Sequence, residues 1–185
     1  MPHRAFIALG TNLGDRAVNY RQAIERIGQL RESRIVRHSS IYETEPVGDI
    51  EGVFLNGVVE LETEMPADLL MRRLLAIERT MGRKRSAGRK PSPSRRKYRP
   101  RVIDLDLLFF DKEIIHTPPL TVPHPRLHER RFVLAPMAEL APALIHPELN
   151  ISISELLAGL KSPQRVTLAR ADLLRPASKR EVLTR

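Results

Sequence analysis

The sequence predicts an α+β fold built on an antiparallel sheet, on three observations. Four short segments, near residues 4–9, 35–43, 54–62 and 102–110, are rich in β-branched and aromatic side chains or alternate apolar with polar residues. Two others, near 16–30 and 66–81, carry their apolar residues on one helical stripe. Their order along the chain is β-α-β-β-α-β. That order is the ferredoxin-like βαββαβ core, an antiparallel sheet with its helices on one face.

The first strand, Arg4 to Leu9, ends in Gly10-Thr11-Asn12-Leu13-Gly14. The helix after it takes Asp15 as its N-cap and lines up Ile24, Ile27 and Leu30. The turn-rich EPVGDIEG separates the second strand from the third, where Val59 and Leu61 alternate with Val58, Glu60 and Glu62. Pro66 opens the second helix, which runs through Leu69, Leu70, Leu74, Leu75 and Ile77 until Gly82 stops it. Residues 83–100, with Gly88, Pro91, Pro93 and three serines, read as an irregular loop before the last core strand. Beyond it, 112–160 adds a Pro-rich crossover and short helices near 133–140 and 153–160. The reading is one domain over 1–160 and a basic tail over 161–185, polar and weakly periodic, loosely attached or partly disordered.

Composition narrows the class. Hydrophobic residues make up 42% and charged residues 29%, as in soluble globular proteins. No apolar run approaches the length of a membrane span, no signal-peptide core is present, and there is no cysteine for a disulfide or thiolate site. These features fit a cytoplasmic protein that engages no membrane. Ten Lys or Arg and no Asp or Glu lie between Arg83 and Arg101, and removing them leaves 21 basic against 22 acidic residues. The net charge of +9 is therefore one local feature, which suits a polyphosphate at least as well as nucleic acid. An RNA-binding sheet would also need aromatics on its face, and the chain has 4% aromatic residues and no K/R-G-F motif, so no nucleic-acid partner is expected.

The segment RPRVIDLDLLFFD, Arg99 to Asp111, is the chemically unusual one. In a strand, Asp104 and Asp106 project side by side from one face. Adjacent carboxylates on a half-buried sheet repel, and persist where solvent or positive charge compensates them. Either the strand's polar face meets water or a divalent metal sits there, and the arginines just upstream favour a metal–phosphate site. Asn56 reads as a turn residue or a ligand contact. His124 and His128 are four apart but have no third ligand for zinc.

The stretches IALGTNLGD (7–15), YETEPVG (42–48), FLNGVVELET (54–63), IERTMGR (77–83), PRVIDLDLL (100–108) and LTVPHPRLHERRFVLAPMAELAP (120–142) stand in one order. Together they resemble the 6-hydroxymethyl-7,8-dihydropterin pyrophosphokinases. The resemblance implies a ferredoxin-like α/β/α fold and transfer of the β,γ-diphosphate of ATP to the hydroxymethyl group of 6-hydroxymethyl-7,8-dihydropterin, releasing AMP, in folate biosynthesis. It implies ATP and the pterin as partners of a monomer, and two Mg²⁺ ions held by Asp104 and Asp106. By the same resemblance, Arg83, Arg85 and Arg101 meet phosphates, with Arg83 and Arg101 catalytic, and Thr121, His124 and Arg130 contact the nucleotide. Glu78 corresponds to a carboxylate near the ribose. Phe54 and Phe132 sandwich the pterin, Asn56 bonds its edge, and the backbones of Thr44 and Val47 add contacts. The chain departs from the pattern at Leu75, Tyr98, Arg99 and Pro125, and its loop 84–99 is longer and more basic than usual. None of these removes a carboxylate or a pterin contact.

Overall fold

A computed structural model describes residues 1–45, 52–82, 102–118 and 120–169. Strand β1 (His3–Thr11) leads through the turn at Gly14 into helix α1 (Arg16–Gly28). The Asp15 carboxylate accepts from the Val18 amide at 3.0 Å, so the expected N-cap is in place. Strands β2 (Ser33–His38), β3 (Tyr42–Thr44) and β4 (Phe54–Thr63) follow, then α2 (Ala67–Thr80). Pro66 precedes α2, and Gly82, at φ 102°, takes the left-handed turn that ends it. After β5 (Asp104–Phe110) come a two-stranded ribbon of β6 (Ile115–Thr117) and β7 (Leu120–Val122), then α3 (Arg131–Leu140), α4 (Ile153–Gly159) and β8 (Val166–Leu168).

The main sheet runs β5-β1-β4-β3-β8 with β2 also on β4, and every pairing is antiparallel. Its strands bury both faces. On one, Ile7, Leu9, Val59, Leu61, Leu105 and Leu107 pack with Tyr20, Ala23 and Ile27 of α1 and Leu70, Leu74 and Ile77 of α2. On the other, Phe6, Val58, Leu108 and Phe109 pack with Val133, Leu134 and Met137 of α3 and Ile153 of α4. The layers are α/β/α. Helices on a single face, as the strand order alone suggests, would leave Phe6, Val58 and Phe109 in water, and α3 and α4 are what cover them.

Three local differences from the sequence reading have physical causes. The strand expected over 35–43 is two strands, because the Ser39 hydroxyl takes the Val58 amide at 3.0 Å and interrupts the ladder. In β5, the register against β1 shifts between Phe6 and Ile7, which pair with Phe109 and Leu107, so Leu108 is an extra, bulged residue. Leu108 and Phe109 therefore both point into the α3 layer. Third, residues 166–168 of the expected tail form β8 on the edge of β3, so the sheet extends past residue 160. The readings for the basic loop 83–100 and for 170–185 lie outside the described residues. Among the described residues, no helix is long and apolar enough to cross a membrane.

Candidate functional site

Side chains of directly paired residues share a face. The register sets Asp104 opposite Gly10, Gly10 opposite Asn56, and Asn56 opposite Tyr42, in a row across β5, β1, β4 and β3. One step along, Asp106 pairs with Ala8, and Ala8 with Val58. Thr44 pairs with Phe54 beyond the other end of the row. Val58 belongs to the core beneath α3, so all of these side chains project to the α3 face. Asp104 and Asp106 stand side by side there, both half-buried, as the two-residue spacing requires.

Glycine at position 10 shapes the row. A Cβ there would lie 3.0 Å from Asn56 Oδ1, inside the space between the amide and Asp104. The Asn56 side chain, 5% exposed, donates from Nδ2 to Thr44 Oγ1 at 2.6 Å.

The bulge brings in the next group. Leu108 has no partner residue on β1, and its carbonyl accepts from the His124 amide at 2.9 Å. The turn after β7 is thereby tied to β5, with His124 Nε2 3.9 Å from Asp106 Oδ2. The Arg126 amide donates to His124 Nδ1 at 3.2 Å, so Nε2 carries the proton of the neutral ring and faces the carboxylate. Burial and then the Arg130 charge push the imidazole down to about 4, which keeps it neutral at physiological pH. Arg130, at the start of α3, brings Nη1 to 3.7 Å from Asp106 Oδ2 and lies over the Phe132 ring, 5.7 Å from its centroid. Phe54 and Phe132 are both half-buried.

The structure thus joins Asp104, Asp106, His124, Arg130 and Phe132 at one end of the face, and Asn56, Thr44 and Phe54 on the other side of Gly10. Thr121 lies on β7 opposite His116, three residues before His124. His128 lies beside Glu129 and packs edge-on against His146. Glu78 was expected on the ribose side of the nucleotide. It is 1% exposed in the α2 layer, and its Oε1 accepts from the Leu105 amide at 2.9 Å. That oxygen serves the strand segment between the two aspartates, because an amide there needs an acceptor once α2 excludes water. Arg83, Arg85, Arg101 and Val47 lie outside the described residues. Sequence reasoning overlooked Gly10 as a contact position, although a glycine within a strand often marks such an approach. It had no signal for the Thr44 hydroxyl or the bulge.

Asp104 and Asp106 offer hard carboxylate oxygens from one strand face, part-exposed and close to two basic side chains. Mg²⁺ prefers one or two carboxylates together with phosphate oxygens and water, and the residues present fit it. A second cluster, His3, Asp111 and Glu113, lies where β5 ends, with His3 Nδ1 2.6 Å from Asp111 Oδ2. It is remote from the row in register, since Ala5 pairs with Phe110 while Gly10 pairs with Asp104.

Residues 6–142 match the family model of 7,8-dihydro-6-hydroxymethylpterin-pyrophosphokinase. A Bacillus subtilis protein named 2-amino-4-hydroxy-6-hydroxymethyldihydropteridine pyrophosphokinase is 43% identical over 141 residues, covering 76% of this chain and 79% of that one. A Pseudomonas aeruginosa protein of the same name is 38% identical, covering 86% of this chain and 93% of its own. Among solved structures, Plasmodium falciparum HPPK-DHPS superposes with a TM-score of 0.67 at 16% identity, over 85% of this chain. That likeness concerns the fold, and the chain spans 44% of the length of that larger protein.

Proposed function

Because this chain belongs to the 7,8-dihydro-6-hydroxymethylpterin-pyrophosphokinase family, we infer that it is an ATP-dependent pyrophosphokinase of folate biosynthesis, moving the β,γ-diphosphate of ATP onto the hydroxymethyl group of 6-hydroxymethyl-7,8-dihydropterin. The observation that carries the assignment of roles is the row Asp104–Gly10–Asn56. It sets an anionic, metal-suited end and an amide-bearing, aromatic-flanked end on one face, with only a glycine between them.

Asp104 and Asp106 would hold Mg²⁺, which when bound neutralises phosphate oxygens and orients them for in-line transfer. His124 stays neutral and offers Nε2–H, a donor suited to a phosphate or nucleotide oxygen, without adding charge to be screened. Arg130 supplies a fixed positive charge beside Asp106, and its forked donors match phosphate oxygens. Thr121 adds a hydroxyl on the nucleotide side, and Arg83, Arg85 and Arg101 are assigned to the phosphates, Arg83 and Arg101 acting in transfer. Phe54, across Gly10, and Phe132, beside Arg130, stack the flat pterin from the two ends of the row, Asn56 bonds its edge, and the backbones of Thr44 and Val47 complete that edge. Glu78 is assigned to the ribose side, and its Oε1 also holds the Leu105 amide between the two aspartates.

The test is AMP release from ATP. It should require both Mg²⁺ and 6-hydroxymethyl-7,8-dihydropterin, with one AMP per diphosphorylated pterin. AMP formation that proceeds equally without the pterin would overturn the reading.

A further inference from the structure

A primary amide has a donor end and an acceptor end of nearly the same shape. Which end meets a ligand depends on what holds the other. Asn56 Nδ2 donates to Thr44 Oγ1 at 2.6 Å, and Oδ1 is turned to Gly10, 3.0 Å from where a Cβ would stand. Both partners are shielded, Thr44 being 2% and Asn56 5% exposed, so water competes little for this bond. Thr44 is itself gripped on both sides, paired with Phe54 on β4 and Val166 on β8.

Resting on the pterin-site reading above, we infer that the Thr44 hydroxyl is a specificity-determining positioning group that keeps the Asn56 carbonyl oxygen facing the gap above Gly10. The site then takes a ligand edge that presents an N–H over Gly10 and rejects one that presents a lone pair there. Two acceptors brought together leave both without a proton, and buried polar groups left unpaired discriminate strongly. The family contacts assigned to Thr44 use its backbone, whereas this role belongs to its side chain.

The experiment compares Thr44→Val, which keeps the shape and loses the hydroxyl, with Thr44→Ser, which keeps the hydroxyl. Calorimetry with Mg²⁺ and a non-hydrolysable ATP analogue measures affinity for 6-hydroxymethyl-7,8-dihydropterin, and a separate titration measures the nucleotide. Thr44→Val should weaken pterin binding about tenfold or more, Thr44→Ser about threefold at most, and nucleotide binding should stay within about twofold in both. In an Asn56→Leu background, Thr44→Val should add nothing, because its effect passes through the amide. Equal losses with and without Asn56, or a serine variant as weak as the valine one, overturn the inference. A readout needing no variant is the NMR contact pattern of the Asn56 amide protons in the wild-type protein. Contacts to the Thr44 side chain support the assignment, and contacts to the Gly10 α-protons overturn it. Wild-type protein that binds no pterin defeats the pterin reading and this inference with it, while wild-type binding retained by Thr44→Val defeats the inference alone.

Discussion

At the scale of single residues, the aspartate pair and Glu60 illustrate opposite uses of burial. Asp104 and Asp106 are held close on a strand face where their repulsion is useful only if a cation joins them. Asp104→Ala or Asp106→Ala should therefore lower turnover by orders of magnitude at saturating Mg²⁺ while the melting temperature holds or rises, and near-normal turnover in either would refute the metal-holding role. Glu60 is the contrasting case. Its side chain is 7% exposed, and it accepts from Arg4 Nε at 2.7 Å and Arg37 Nε at 2.6 Å. Burial alone would raise this carboxyl, but the two guanidinium hydrogen bonds outweigh it and hold it below its usual value. The folded state thus binds the Glu60 proton more weakly than the unfolded chain, so its stabilisation is complete above the ordinary carboxylate range and fades as pH falls through the folded value. Glu60→Gln should destabilise the protein by about 1–3 kcal/mol at pH 7 and lose less stability than wild type on acidification, as thermal melts between pH 6 and pH 3 would show. At this scale the aspartate pair was legible, because a period of two is local. Neither the burial of Glu78 nor the Thr44–Asn56 bond was, since each depends on strands brought together from afar.

At the scale of elements, α3 is fastened to the sheet at both ends. Arg130 and Phe132 at its start border the site. Near its end, Glu139 Oε1 accepts from the Ser40 amide at 2.8 Å and hydroxyl at 3.0 Å, and Oε2 from the Tyr42 hydroxyl at 2.9 Å. Burial first and Glu139 second push the Tyr42 phenol up to about 12. Glu139→Ala should cost about 1–3 kcal/mol in urea unfolding. It should also bring the Tyr42 phenol part of the way back toward 10, since burial remains; ultraviolet titration against Tyr42→Phe isolates that signal. An unmoved phenol would mean that the clamp is not formed in solution. The sequence displayed both helices of the first layer and the strands they cover, because amphipathic stripes, Asp15, Pro66 and Gly82 are local signals. It did not display the bulge at Leu108. The run Leu107-Leu108-Phe109-Phe110 is apolar throughout, so no alternation reveals where the parity changes. The neighbourhood of His124 and Asp106 follows from that bulge, which is why only the resemblance had pointed to it.

At the scale of the whole molecule, the βαββαβ order and the short helices near 133–140 and 153–160 were readable, but that those helices cover the far face was pointed to only by the resemblance. Covering the far face requires α3, interrupted by Pro136, and the seven-residue α4, segments too short for their pattern to say which face they cover. The three residues of β8 were unreadable for a related reason: a strand so short has no period, and only its partner defines it. Deleting residues after 160 should leave β3 with one neighbour instead of two. Hydrogen exchange at the β3 amides should speed up, and pterin affinity should fall more than nucleotide affinity because Thr44 is loosened. Unchanged protection of β3 would show that β8 contributes nothing there.

The pairing of β8 with β3 also bears on how the molecule is made. Thr44 meets Val166, so β3 leaves the ribosome long before its outer neighbour exists. Until residues 166–168 are made, the nascent chain carries a bare strand edge able to recruit a strand from another chain. The last contact in the sheet closes across a long loop, which makes it slow to form. A growing chain stalled before residue 166 would thus be the stage most in need of a chaperone, and emergence of residues 166–168 the step that makes this edge safe from its neighbours.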